Sequence, residues 1–466
     1  MRTEGDLTTY DVAIIGAGVI GCAIARRFAL EGAHVVVLEK AADILDGASK
    51  GNSAILHTGF DAPPGSLEQA CVADGYREYV AIHERLGLPL IQTGALVLAW
   101  TDDEEAQLPL LVEQARRNGV DDVQLLSRTE ILVREPHLSP LVRAGFVVPR
   151  EHIIDPWTAP YAYLLQAVVN GAVLKRGCAV RAGQFDGAAW TLDTSAGSVS
   201  ARAVINAAGL YGDQLDAALV GRQQFTIRPR KGQFIVYDKP ASALVRHILL
   251  PVPTKTTKGI VVCRTAFGNV LVGPTAEEQT ERDCATLSSD ALARLRTHGA
   301  AIVPALGGVD VTASYAGLRP ATEFKDYQVH AEPARRYITV GGIRSTGLTS
   351  ALGTAAHVFR LYAAFGDRHS PLAAPVWPVV RNISEYSQRS WQCPANGGIV
   401  CHCERVTRAD IMSALDGPIP VLTPAGLKRR TRATLGRCQG FYCTAELAEL
   451  TKDRLTEPYA EPIHDV

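Results

Sequence analysis

Four of the ten cysteines in this 466-residue chain fall in two short stretches near its end. These are Cys401-x-Cys403 in "CHCERVTRAD" and Cys438-x4-Cys443 in "GRCQGFYC". Zinc knuckles commonly use Cys-x2-Cys pairs, in which a tight turn brings both thiolates to one ion, and the spacing here fits that poorly. A [2Fe–2S] cluster has two irons, each taking two thiolates, and accepts the wider spread. The adjoining "LKRRTRATLGRCQGFYC" would set Lys428, Arg429, Arg430, Arg432 and Arg437 beside a negatively charged centre. Gly436 and Gly440 would let backbone amides approach cluster sulfurs. An iron–sulfur cluster on Cys401, Cys403, Cys438 and Cys443 is the expectation, with zinc or plain reduced thiols as the alternatives. Cys22, Cys71, Cys178, Cys263, Cys284 and Cys393 are scattered and read as small apolar side chains.

A second constellation opens the chain, in "YDVAIIGAGVIGCAIARRFALEGAHVVVLEK". Gly16-x-Gly18-x-x-Gly21 follows a short apolar strand, Val12 to Ile15, and leads into an amphipathic helix from Cys22 to Glu31. A second strand, His34 to Leu38, ends at Glu39. Gly16 permits a tight turn, Gly18 lets the backbone approach a pyrophosphate, and Gly21 allows close helix–strand packing. The helix N-terminus offers free N–H groups to phosphate. An acid at Glu39 suits ribose hydroxyls and disfavours a 2′-phosphate, so the pattern predicts FAD or NAD rather than NADP. The loop "DGASKGNSAILHTGFDAPPGSL", rich in small polar residues and carrying His57, is similar to what flavoproteins wrap around the pyrophosphate and ribityl chain.

Other elements must position these groups. "YITVGGI" reads as a strand, "RSTG" as a turn with cap-forming Ser345 and Thr346, and "LTSALGTAAHVFRLYAAF" as an apolar helix. Such a helix would aim its N-terminal amides at the carboxyl edge of the sheet. "QFIVYD", "GIVVCRT" and "NVLVG" alternate as an antiparallel sheet would. "VTRADIMSAL" starts a helix with Thr407 as N-cap and Asp410 at N3. The composition, 47% apolar and 20% charged, suits a globular protein. A formal net charge of −1 argues against nucleic acid or an anionic membrane as bulk partner. No signal peptide and no run of 18 apolar residues is present, so no transmembrane segment and a cytoplasmic location are expected.

Beyond the glycine turn, several segments resemble the D-amino-acid-oxidase-like superfamily of FAD oxidoreductases. Within it the match is to the branch of glycerol-3-phosphate dehydrogenases and oxidases and L-2-hydroxyglutarate dehydrogenases. "NSAILHTGFD" resembles that branch's NSG-x-[IV]-H-[ATS]-G segment, with Ala54 where glycine is usual. "VINAAGLYGD", "PTKTTKGIVV", "GNVLVGPTAEE", "YAGLRPA" and "GGIRSTGLTSALG" follow in family order, with Thr346 where proline is usual. "CHCERVTRAD … GRCQGFYC" resembles the bacterioferritin-associated-ferredoxin-like [2Fe–2S] module, often fused to flavin oxidoreductases of this branch. The resemblance implies FAD contacts at Gly16, Gly18, Gly21, Glu39, Lys40, Ser49, Asn52, Ser53, Val180 and Gly209. On the flavin-facing turn it adds Gly342, Ser345, Gly347, Leu348 and Thr349.

The fold expected is α/β and α+β: a Rossmann-like FAD-binding domain with an inserted antiparallel-sheet substrate domain, and a small helical C-terminal iron–sulfur domain. Residues 1–60, 145–215 and 310–370 are assigned to the first, 61–144 and 216–309 to the second. Residues 371–396 are a wrapping linker and 397–466 the cluster domain. Oxidising a secondary alcohol needs a base, for which His57 is the candidate. It also needs cations for an anionic tail: Arg319 first, then Lys258 and Arg344. Arg230 and Lys231 read as solvated or interdomain charges. The function expected is an FAD-dependent dehydrogenase of a small anionic alcohol, sending electrons through the cluster to an acceptor protein or partner subunit. The alternatives are an FAD-dependent amino-acid, imino-acid or opine dehydrogenase subunit, and a non-catalytic cluster-bearing regulator or scaffold. An oxidase fits less well, because a fused cluster would be superfluous.

Overall fold

A computed structural model describes residues 9–253 and 259–459. The N-terminal apolar run forms the strand Thr9–Ile15, whose alternate residues face two ways. Val12 and Ile14 enter one core with the helices, while Ala13 and Ile15 pack with Trp190 and Leu215 on the other face. Five strands run parallel in the order Val173–Lys175, Val35–Leu38, Thr9–Ile15, Gly197–Asn206, Tyr337–Gly341. Val180–Phe185, Trp190–Thr194 and Gln328–Glu332 add antiparallel strands to make eight. The helices Val19–Leu30, Thr158–Val169 and Gly347–Ala363 pack together against this sheet.

The helix Leu67–Leu86, which the sequence assigns to the substrate layer, crosses Gly347–Ala363 in the first core. Its buried Cys71, Tyr76, Tyr79, Ile82 and Leu86 join that core. Glycines make the crossing close: a Cβ at Gly75 would lie 2.1 Å from the Thr349 carbonyl, and one at Gly353 2.1 Å from that of Cys71.

A second, nine-stranded sheet runs Glu277–Glu278, Arg228–Tyr237, Val270–Gly273, Val261–Arg264, Ile248–Pro251, Ala95–Ala99, Ala144–Val148, Gln124–Ser127, with Val311–Ala321 beside Arg228–Tyr237. Every pairing in it is antiparallel except Ile248–Pro251 with Ala95–Ala99. Two strands assigned to the nucleotide-binding layer, Ala144–Val148 and Val311–Ala321, therefore belong here. Periodicity identifies a strand but not its neighbour. Ile55–Leu56, His152–Ile154 and Leu90–Gln92 form a small sheet of their own.

The proline-rich segment 371–396 wraps both units. Leu372 N donates to Leu30 O, Val380 N to Leu86 O and Glu385 N to Ala266 O, each at 2.9 Å. Trp377 sits between the guanidiniums of Arg26 and Arg85, 5.6 and 3.9 Å from its ring centre.

The last module has a short hairpin, Ile399–Cys401 with Val406–Thr407, and the helices Arg408–Asp416, Pro424–Thr431 and Thr444–Leu450. Thr407 and Asp410 form a capping box. The basic run expected around the cluster is turned largely onto the main body instead. Arg429 reaches Asp46 at 3.2 Å and the Ile44 carbonyl at 3.1 Å. Arg430 lies 3.1 Å over the Tyr161 ring, and Arg437 pairs with Asp238 at 2.7 Å. Arg432 pairs with Glu404 at 2.8 Å and stacks 3.8 Å over Phe267. A planar guanidinium can stack and pair at once, which suits it to a half-dry interface. Among the described residues no helix is long and apolar enough to cross a membrane.

Candidate active site and cluster site

One cavity of about 970 Å³ opens at the carboxyl edge of the parallel strands and runs between the two sheets. Gly16 and Gly18 line it. Gly16 has φ +104°, and a Cβ there would lie 2.6 Å from the Ala207 carbonyl. Gly21 is not on the cavity wall; its Cβ would sit 1.9 Å from the Gly16 carbonyl, so it sets the helix against the turn. Val19 N, at the start of the helix, donates to Ser49 Oγ at 2.9 Å, which brings the Ser49 loop over the helix end. Bare backbone, a helix N-terminus and a hydroxyl fit a pyrophosphate. Gly21→Ala is expected to yield protein without bound flavin, read as loss of the flavin absorbance on purification.

Glu39 lines the same cavity and holds the turn from behind. Its carboxylate accepts from Ala17 N at 2.7 Å and Ala41 N at 2.9 Å. Burial pushes its pKa up, against those two amides. Lys40 lies 3.8 Å over the Tyr211 ring, with Nζ 3.4 Å from Asp283. Val180 and Gly209 complete this end, which Arg282 to Ala285, from the second unit, close from the opposite side.

At the other end, Ser53 lines the cavity, while Asn52 Oδ1 accepts from Ala54 N at 2.8 Å. Ala54 sits at φ +62°, the left-handed region that makes glycine usual there. His57 faces the cavity. Its Nδ1 lies 2.8 Å from Oε2 of Glu151, which is fully buried. Glu151 Oε1 also accepts from Thr58 N at 2.6 Å and Thr58 Oγ1 at 2.8 Å. A carboxylate on Nδ1 fixes the proton there, so Nε2 is the nitrogen left to accept. Thr349, expected at the cofactor, is off the cavity wall: its hydroxyl accepts from His57 N at 3.0 Å and meets the Ile55 carbonyl at 3.3 Å. Glu151 escapes a reading of the sequence because nothing local marks it.

Arg319 lines the cavity with its guanidinium over Gly232, where a Cβ would lie 2.6 Å from Nη2. Its hydrogen bond is to the Thr275 carbonyl, at 3.2 Å. Among the described residues no carboxylate pairs with it. Burial, with the charge of Arg230 opposite it in the sheet, pushes its pKa down to about 10. Arg230 itself reaches the cavity but is paired with Glu278 at 2.5 Å, and Lys231 with Glu277 at 3.2 Å. Lys258 lies outside the described residues.

Arg344 borders the cavity but is compensated, 3.3 Å from Glu68 and hydrogen-bonded to the Lys325 carbonyl. Thr346, nearly inaccessible at 2%, donates to Glu68 at 2.7 Å and lies 2.7 Å from Tyr327 Oη. The hydroxyl at the usual proline position thus ties the turn to Leu67–Leu86 and caps nothing. No side chain caps the helix Gly347–Ala363, whose first residues, Gly347 and Leu348, face the cavity beside Ser345. Gly342, at φ +68°, shapes the turn from outside the cavity.

The four clustered thiols meet as two pairs, Cys403 with Cys438 and Cys401 with Cys443, each within hydrogen-bonding reach. Amides of Tyr442, Gly440 and Phe441 point at the Cys438 sulfur and hold its pKa below the ordinary thiol value. Burial pushes Cys443 up to about 12. Gly436 must be bare, since a Cβ would lie 2.3 Å from that of Cys403. Four convergent thiols with amides aimed at sulfur fit a [2Fe–2S] cluster. Of the other cysteines, Cys22, Cys71, Cys178 and Cys263 are buried as expected, whereas Cys284 is exposed and Cys393 half-buried.

A contact chain joins the two sites. Trp157 Nε1 donates to the Lys50 carbonyl on the cavity wall at 3.1 Å, and its ring stacks on Phe267 with centres 5.9 Å apart. Arg432 covers Phe267 and pairs with Glu404, next to Cys403.

Residues 11–361 match the family model described as FAD dependent oxidoreductase, and residues 399–452 that of the BFD-like [2Fe-2S] binding domain. A glycerol 3-phosphate dehydrogenase of Caloramator mitchellensis is 32% identical over 450 residues, covering 95% of this chain and 93% of that protein. An L-2-hydroxyglutarate dehydrogenase of Indibacter alkaliphilus is 28% identical over 273 residues, covering 57% and 68% respectively. The structure of dithionite-reduced L-alpha-glycerophosphate oxidase from Mycoplasma pneumoniae with FAD bound superposes with a TM-score of 0.74. It is 28% identical, with 80% of this chain and 98% of that one covered.

Proposed function

The chain belongs to the FAD dependent oxidoreductase family, and from that premise we propose that it oxidises a small anionic secondary alcohol and sends the electrons out through its C-terminal cluster. It is an FAD-dependent oxidoreductase acting on CH–OH, with a [2Fe–2S] cluster as second cofactor. Glycerol 3-phosphate is the substrate favoured by the full-length relative, and 2-hydroxy acids such as 2-hydroxyglutarate are the next class. The observation that carries the reading is Arg319, an enclosed cation without a carboxylate partner among the described residues, on the wall of the cavity that holds His57. A buried charge left unpaired is costly, and an incoming anion relieves that cost.

Arg319 binds the phosphate or carboxylate and so orients the alcohol. His57 Nε2 takes the hydroxyl proton while Glu151 holds the ring and balances the imidazolium. When bound, FAD would supply a hydride acceptor for the carbinol carbon, and a [2Fe–2S] cluster held by Cys401, Cys403, Cys438 and Cys443 would supply one-electron transfer towards an external acceptor protein. Ser345, Gly347 and Leu348 form the wall at the helix N-terminus, whose uncapped amides favour negative charge.

Arg319→Ala tests the assignment. KM for glycerol 3-phosphate is expected to rise about 10- to 100-fold, the worth of a charge-assisted hydrogen bond, with Arg319→Lys recovering part of the loss. An unchanged KM in steady-state assays of the FAD-loaded variant would rule Arg319 out as the anion site.

A further inference from the structure

Part of the cavity wall near Lys40 does not come from the nucleotide-binding sheet: Arg282 to Ala285 belong to residues 279–287, a segment of the second unit. The segment leaves the strand Glu277–Glu278, paired with Arg228–Tyr237, and returns at Ser288, whose N–H donates to Gln233 Oε1 on that same strand at 2.7 Å. Both ends are thus rooted in one strand, and the tip, Arg282 to Ala285, reaches across to the first unit.

The tip is fastened there at several points. Arg282 forms a two-pronged pair with Asp213, at 2.5 and 2.9 Å, and also donates to the carbonyls of Leu210 at 2.7 Å and Ile227 at 3.2 Å. Asp213 is almost inaccessible, at 1%, and also accepts from the amides of Ile227 and Gln214. Asp283 holds the rim: it hydrogen-bonds Tyr211 and lies 3.4 Å from Lys40, which covers the Tyr211 ring. Ala285 packs against Leu210, Phe225 and Ile227. The two-pronged pair, with its carboxylate sheltered from solvent, fixes the tip against the first unit.

In a dinucleotide site the pyrophosphate sits at the helix N-terminus and the adenosine beside the acid that ends the second strand. Here that places the adenosine at the end of the cavity that Glu39–Ala41, Cys178–Val180 and Arg282–Ala285 line together. We propose that residues 279–287 are a strap over the adenosine half of FAD, fastened by Arg282 on Asp213 and by Asp283 on Tyr211 and Lys40, and that it sets how long FAD stays bound. FAD is then held by both units, and its release requires the strap to lift. The proposal rests on FAD as the ligand and not on which alcohol is oxidised.

The experiment uses full-length holoprotein, with FAD release followed by the rise of flavin fluorescence after dilution to a concentration too low for released FAD to rebind. Two variants loosen the strap differently. Asp213→Asn with Arg282→Ala removes both members of the ion pair together, leaving no unpaired charge, and Asp283→Ala cuts only the exposed rim. Both are expected to release FAD faster, the double variant by about tenfold or more, in line with losing a charge-assisted hydrogen bond. Iron content is expected to stay unchanged in both. Should the double variant fail to fold, Asp283→Ala decides the matter alone. A release rate equal to that of the parent in a folded variant overturns the strap. Because no substrate is present, the outcome is independent of the anionic-alcohol reading.

Discussion

Replacing His57 by asparagine is expected to slow flavin reduction by substrate about 100- to 10,000-fold, the range for a lost general base, while FAD stays bound. The ring lines the cavity, and its backbone N–H is held independently by Thr349. The substitution therefore removes a proton acceptor without unmaking the backbone that follows the strand Ile55–Leu56. Glu151→Gln should give a smaller loss in the same rate constant with KM little changed, because the amide still fills the pocket but no longer balances the charge that His57 acquires. Stopped-flow absorbance of the anaerobic holoprotein measures both. Full-rate reduction of the FAD-bound His57→Asn protein would remove His57 from the mechanism.

Cys438→Ser is the second large effect. The sulfur is met by three backbone amides and by Cys403, an arrangement built for a thiolate ligand. Serine is a harder donor, so the variant is expected to lose most of its iron and the visible absorbance of the cluster. Flavin reduction by substrate is expected to persist, since the cavity is formed by other elements, whereas turnover with a one-electron acceptor should fall to background. Iron analysis and both assays on one preparation separate these consequences. An iron content equal to that of the parent would exclude Cys438 as a ligand.

What the sequence disclosed and what it withheld divide along the length of the interactions. The glycine turn is local: Gly16, Gly18 and Gly21 act within a few residues of each other, and the structure builds the strand, turn and helix from them. The cysteine pairs were likewise visible as spacing, although only the fold brings Cys401 to Cys443. Glu151 was not legible, because it sits 94 residues from His57 and the carboxylate carries no motif. The same holds for Arg282, whose partner Asp213 lies in the other unit. The basic run was legible as charge but not as direction. Arg429, Arg430 and Arg432 turn towards Asp46, Tyr161 and Phe267, partners that charge patterning alone does not reveal. The sequence offers Arg344 as a further cation for the substrate's anionic group, and only its packing shows that Glu68 already pairs with it. Thr346 was visible as a departure from proline, yet its use, a hydroxyl bridge to Glu68 and Tyr327, depends on where the helix Leu67–Leu86 crosses.

The most direct measurement is anaerobic mixing of the FAD- and iron-loaded protein with sn-glycerol 3-phosphate, 2-hydroxy acids and amino acids in turn, followed by absorbance. Rapid bleaching of the flavin band by glycerol 3-phosphate or a 2-hydroxy acid, followed by reduction of the cluster, is the predicted result. Bleaching by amino acids alone, or by none of these compounds, would contradict it.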